Sequence, residues 1–207
     1  MTAIDDARYM DLALALAQAQ QGRTAPNPAV GCVLVKQGRI IATGATQDGG
    51  RPHAERVALD AAGDRAAGAT AYVTLEPCAH HGQTPPCAEG LVQAGVTRVV
   101  IACQDEYHEV AGRGVAILSE AGLVIETGLR KTTAAALYSG FFQRLSSGLP
   151  QISIDQRAGL YDAELTATTP EAAEAQIHAF STAGVNRVRI APDHPLANHD
   201  WAGFGST

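Results

Sequence analysis

Three short segments hold the residues whose types and spacing could do chemistry: Pro52-His-Ala-Glu55, Glu76-Pro-Cys78 and Thr84-Pro-Pro-Cys87. One imidazole, from His53, and two thiols, from Cys78 and Cys87, make up a common catalytic zinc set. Such a set leaves the fourth tetrahedral position open for water. His53 and Cys87 each stand where a helix should begin, and Cys78 directly follows a strand-like run. Helix N-termini carry partial positive charge, which lowers a thiol pKa and favours the thiolate that a metal needs. Two thiolates also balance the charge of Zn²⁺, so the site can be buried without a large net charge. Glu55, two residues past His53, is too near in sequence to ligate beside it. It can reach water activated by the metal, take its proton and return it to a leaving amine.

The order His, Glu two residues on, then Pro-Cys and a second Cys is that of the zinc deaminases, whose cysteines are separated by two residues. Here eight residues separate Cys78 from Cys87, so the match is to chemistry and order. A closed structural zinc, with His80 or His81 as fourth ligand, is the rival reading. Glu55 discriminates, because a closed site has no use for it. The other two of the four cysteines, Cys32 and Cys103, lie in apolar runs and read as inert buried thiols.

The elements that must position these residues follow from periodicity. Ala7 to Gln21 has helical spacing and stops at Gly22, and Pro26-Asn-Pro28 is a rigid loop. Val30 to Val35 and Arg39 to Thr43 read as strands joined at Lys36-Gln-Gly38. A helix from His53 to Ala62, a strand Ala69 to Leu75, a short helix Cys87 to Ala94 and a strand Thr97 to Cys103 come next. Then follow a helix Val110 to Ala121, a strand Leu123 to Glu126, and a helix Ala134 to Leu145 whose Phe141-Phe142 pair reads as core. Strands alternating with helices predict a three-layer α/β/α fold around a central mixed sheet, parallel after its first hairpin.

Ser146-Ser-Gly-Leu-Pro150 punctuates the chain. The break predicts a zinc-dependent catalytic domain in residues 1–147 and a small C-terminal α/β appendage in 148–207. The appendage has a strand Gln151 to Ile154, a helix Pro170 to Ala183, a strand Val185 to Ile190 and an irregular end.

With 207 residues, 46% hydrophobic and 17% charged, the chain can bury a sizeable core. A net charge of −6 argues against electrostatic binding of nucleic acid. No apolar run approaches the roughly 20 residues of a membrane span, and the first residues lack the order of a signal peptide. A cytoplasmic protein with no membrane partner is expected.

The runs Thr24-Ala-Pro-Asn-Pro-Ala-Val-Gly-Cys-Val-Leu-Val35, Gly50-Arg-Pro-His-Ala-Glu55 and Ala69 through Thr84-Pro-Pro-Cys87 resemble the deaminase half of the bifunctional riboflavin-biosynthesis deaminase/reductases. The likeness covers residues from about 5 to 150, and the long Cys–Cys spacing is that family's own variant. It implies the cytidine-deaminase-like fold and a zinc held by His53, Cys78 and Cys87, with Glu55 as proton shuttle. The implied substrate is 2,5-diamino-6-ribosylamino-4(3H)-pyrimidinone 5′-phosphate, an aminopyrimidine nucleotide that loses its ring amine as ammonia. Substrate contacts would come from Asn27, Arg51, His80, Gln83 and Asp105. By analogy with the fold, the chain is expected to form a homo-oligomer.

The chain departs from that family at three places. Gln83 stands where the family carries Lys or Arg, which removes a charge-assisted contact to an anionic group. Arg51 is close in sequence to the site and can replace that cation. Asp105-Glu-Tyr-His108 replaces Asp-Pro-Asn-Pro and adds negative charge. Residues 148–162 follow the reductase's first strand only loosely, without its Lys and Ser-Leu-Asp-Gly, and no Gly-rich phosphate loop follows. The sequence therefore predicts deamination without reduction or nicotinamide binding. The alternatives are a deaminase of another nucleobase or nucleoside, or a non-catalytic zinc-stabilised relative.

Overall fold

Five apolar runs become strands in the computed structural model, which describes residues 3–80, 85–104 and 112–201. They are β1 (Gly31–Lys36), β2 (Arg39–Ala45), β3 (Thr70–Leu75), β4 (Arg98–Cys103) and β5 (Val124–Thr127), in the order β2-β1-β3-β4-β5. β1 pairs antiparallel with β2 and β3, whereas β3, β4 and β5 run parallel. The β1–β2 turn places both Gln37 and Gly38 at positive φ, 52° and 73°, as a two-residue hairpin with right-twisted strands requires. The helices are α1 (Ala3–Ala19), α2 (Ala54–Ala62), α3 (Cys87–Gln93), α4 (Arg113–Glu120) and α5 (Lys131–Ser147).

Two glycines show how the layers form. A β-carbon on Gly31 would lie 1.9 Å from the Ala13 carbonyl oxygen of α1, and one on Gly44 would lie 2.1 Å from that of Ala54 in α2. Gly44 pairs with Cys32, the residue after Gly31. Successive strand residues face opposite sides, so α1 and α2 cover opposite faces of the sheet. This is the expected α/β/α sandwich with a mixed sheet, and α3 packs against both α2 and α4.

The contacts divide the chain into two units: residues 1–20, 29–47 and 52–137 in the first, and 21–28, 48–51 and 138–207 in the second. The sheet just described belongs to the first. In the second, β6 (Gln151–Ile154), β7 (Ala163–Glu164) and β8 (Arg187–Ile190) form a parallel sheet in the order β6-β8-β7, with α6 (Pro170–Thr182) before β8. Ile152, Leu165, Ile177, Val188, Ile190 and Trp201 fill its core. Thr169 caps α6, its Oγ1 accepting the Ala172 N–H at 3.4 Å, and Pro170 fills the first turn, where its missing N–H costs nothing.

Some boundaries differ from the sequence reading. α1 begins at Ala3 rather than Ala7, with Asp5 and Asp6 in its first turn, where negative charge suits the helix dipole. β7 is absent from the expectation because two residues carry no periodicity. Phe141 and Phe142 are half-buried, while Tyr138 of the same helix is fully buried. Among the described residues, no helix is long and apolar enough to cross a membrane.

One polar network spans the first unit. Asp6 is 8% exposed; it accepts Nη1–H and Nη2–H of Arg98 at 3.0 and 2.8 Å, and the Tyr72 hydroxyl. Arg98 also donates to Glu126 at 2.7 Å. The Arg98 hydrogen bonds hold the Asp6 carboxyl below its ordinary range. A carboxyl lowered in this way stabilises the fold above its unfolded pKa of about 3.9, and that stability is lost as the pH falls through the lowered folded value. Asp6→Asn should therefore lower the urea-unfolding free energy by about 1–3 kcal/mol near pH 7. The deficit should shrink as the pH falls below about 4, toward the lowered folded value.

Candidate metal centre

His53 is the residue before α2, with extended φ and ψ of −69° and 158°, and its side chain does not cap the helix. The imidazole is thereby directed away from the cap role that a helix-start residue often fills. Cys78 lies just beyond β3, and Cys87 is the first residue of α3 behind Pro86. The two cysteine segments are stitched together: the Ala88 N–H donates to the Cys78 carbonyl at 3.2 Å, and the Cys87 N–H donates to Cys78 Sγ at 3.3 Å.

His53 Nδ1 stands 3.7 Å from Cys78 Sγ and 3.5 Å from Cys87 Sγ. All three donor atoms lie within 4.8 Å of one another. A tetrahedral zinc with bonds of about 2.3 Å to sulfur and about 2.0 Å to nitrogen sets nitrogen and sulfur about 3.5 Å apart. The donor set fits zinc in both chemistry and spacing.

Glu55 occupies the first turn of α2 and is 3% exposed. Burial raises its pKa to about 7, helped by the negative charge of Cys78. Cys78 is lowered to about 4, chiefly by the hydrogen bond from Cys87, and that same bond, with burial, pushes the Cys87 thiol up. Cys32 and Cys103 are fully buried as expected, and burial raises the Cys32 thiol further.

The other candidates divide. His80 is exposed and stands outside the donor cluster found among the described residues, so a site closed by His80 does not form. His81, Gln83 and Asp105 lie outside the described residues. Asn27 and Arg51 are both half-buried and belong to the second unit. The Asn27 amide is fixed by donating from Nδ2 to the Gly50 carbonyl at 3.0 Å.

The sequence pattern assigns Glu76 no part. Its carboxylate is 8% exposed and accepts backbone N–H groups of Gly112, Gly114 and Val115 at 3.2, 3.0 and 3.2 Å. The one signal was an acid wedged between an apolar strand and Pro77. Its partners lie 36 to 39 residues away, beyond the reach of any local pattern.

Comparison with known proteins agrees with this geometry. Residues 3–103, which include His53, Glu55, Cys78 and Cys87, match the family model of the cytidine and deoxycytidylate deaminase zinc-binding region. The chain is 43% identical over 212 residues to the riboflavin biosynthesis protein RibD of Escherichia coli K12, covering 96% of this chain and 57% of that protein. It is 43% identical over 147 residues to the diaminohydroxyphosphoribosylamino-pyrimidine deaminase of Buchnera aphidicola from Acyrthosiphon pisum, covering 71% of this chain and 100% of that one. The solved structure of Acinetobacter baumannii RibD, form 1, superposes with a TM-score of 0.70 at 42% identity, over 86% of this chain and 52% of that one. The chain thus spans little more than half the length of the RibD proteins it matches. A deaminase donor set on an α/β/α sandwich, with these relatives, places the chain in the zinc-binding diaminohydroxyphosphoribosylamino-pyrimidine deaminase family of RibD type.

Proposed function

We propose that this chain catalyses the hydrolytic deamination of 2,5-diamino-6-ribosylamino-4(3H)-pyrimidinone 5′-phosphate, the deaminase step of riboflavin synthesis, without the reductase step. The observation that carries the reading is Glu55, a buried carboxyl set beside a three-donor cluster. A structural metal site would have no use for an acid there. The names of the relatives support the substrate.

In this reading His53, Cys78 and Cys87 hold zinc, which when bound supplies Lewis acidity that makes water nucleophilic near neutral pH. Glu55 accepts the proton of the attacking water and delivers it to the amine nitrogen. The new C–O bond forms at the ring carbon, the C–N bond breaks, and ammonia leaves. Burial suits Glu55 to both halves of this transfer, since a carboxyl removed from water can hold and release a proton near neutral pH. Asn27, Arg51, His80, Gln83 and Asp105 are assigned to the substrate, with Arg51 taking the place of the cation missing at Gln83. We assign the catalytic work to residues 1–147, a non-catalytic part to 148–207, the location to the cytoplasm and the working state to a homo-oligomer.

The reading is tested by ammonia release from the aminopyrimidine, with and without its 5′-phosphate. The phosphorylated form should turn over faster, and Glu55→Gln should abolish turnover while zinc stays bound. Near-wild-type activity in Glu55→Gln would sink the assignment, and preference for the unphosphorylated form would redirect it to another substrate. Zinc itself is checked by metal analysis: the wild type should hold one zinc per chain, and Cys87→Ser almost none. Chelation should also lower the melting temperature, because metal affinity adds to folding free energy.

A further inference from the structure

We infer that Glu76 is a positioning residue for the metal centre: by tying the chain just before Cys78 to the start of α4, it holds that cysteine's sulfur where the zinc requires it. The inference rests on the reading that Cys78 is a zinc ligand. Glu76 is spliced between two rigid elements. Its backbone N–H donates to the Cys103 carbonyl at 2.9 Å, one step beyond the pairing of Leu75 with Cys103 that ends β3 and β4. Its side chain turns to α4, where Oε1 accepts Gly114 and Val115 at 3.0 and 3.2 Å, and Oε2 accepts Gly112 at 3.2 Å.

With both oxygens engaged, the carboxylate cannot swing about its terminal bond. Charge-assisted bonds to helix-start N–H groups are among the stronger hydrogen bonds in proteins. A carboxylate this buried would pay a large desolvation cost without them. The approach is close as well, since a β-carbon on Gly114 would lie 2.1 Å from the Pro77 carbonyl oxygen. Pro77 fixes its own φ, so little slack remains between the Glu76 anchor and Cys78. On its far side Cys78 is already bound to Cys87 and Ala88 at the start of α3. The cysteine is thus held from two directions, and only one of them involves the donor set.

The test is zinc release from zinc-loaded protein to a colorimetric chelator, at a temperature where circular dichroism shows every variant folded. Groups that orient metal ligands typically change metal affinity by about 10–100-fold when removed. Glu76→Ala should therefore release zinc faster by about that factor, and Glu76→Gln, which keeps an acceptor oxygen, by about 10-fold. Gly114→Ala should also speed release, although alanine is the better helix former, because its methyl group displaces the Pro77 carbonyl. Asp6→Asn is the control for mere destabilisation, lying on the α1 face of the sheet, and should release zinc at the wild-type rate. Wild-type release from the Glu76 variants overturns the inference. So does equal acceleration in Asp6→Asn at a matched loss of melting temperature. If Glu76→Ala does not fold, Glu76→Gln decides. Should Cys87→Ser retain zinc like the wild type, the zinc reading itself falls, an outcome separate from failure at Glu76 alone.

Discussion

Acid crowding governs the centre. Glu55, Cys78 and Cys87 place three acidic groups in one largely buried cluster with a single imidazole. Their charges conflict: the hydrogen bond from Cys87 lowers the Cys78 thiol, while burial and the charge of Cys78 raise the Glu55 carboxyl. A divalent ion removes this conflict, since two thiolates neutralise it and the imidazole binds without charge. The site is therefore built for a metal in its charges as well as in its distances. Placing His53 and Glu55 at the start of α2, and Cys87 at the start of α3, adds the positive helix ends that favour the anionic forms.

The sheet converts that electrostatic requirement into geometry. β3 and β4 run parallel, so both end at the same edge, where open α/β sheets collect functional groups. Cys78 leaves from that edge. α2 reaches the sheet closely because Gly44 offers no β-carbon to Ala54, one residue before Glu55. An alanine at Gly44 would shift the helix that carries Glu55, so a residue with no polar side chain helps place one that has. Such a core is dense enough that one methyl group is felt.

How much was legible in the sequence follows from the same distinction between local and long-range causes. The donors and Glu55 were readable because their types are rare together and their spacing within each segment is short. The hairpin at Lys36-Gln-Gly38 and the helix stops at Gly22, Gly63 and Gly122 were readable because glycine at positive φ is a local signal. Glu76 was not, since its partners are fixed by the folding of α4 onto the sheet edge. Nor was β7, which exists because the Asp162 carboxylate binds the Asn186 and Arg187 N–H groups at 2.9 and 3.0 Å and brings its chain beside β8. α1 begins early for a similar reason, because Asp6 meets an arginine 92 residues later.

The loop 21–28 is fixed by residues far along the chain. Pro26-Asn-Pro28 reads as a rigid turn of the N-terminal half, yet it packs with the second unit. Arg144 donates to the Pro26 carbonyl at 3.0 Å and to Asn186 Oδ1 at 2.8 Å, while Asn186 Nδ2 reaches the same carbonyl at 3.4 Å. Gly184 lies against the Pro26 ring, where an added β-carbon would come within 2.5 Å. Asn27, the next residue, is then held by Gly50. Asn27 thus takes its position from side chains more than a hundred residues downstream, whereas the metal donors take theirs from the five-stranded sheet and its helices. A loop early in the chain is in this way fixed by residues late in it, through a backbone carbonyl one residue away from the Asn27 side chain.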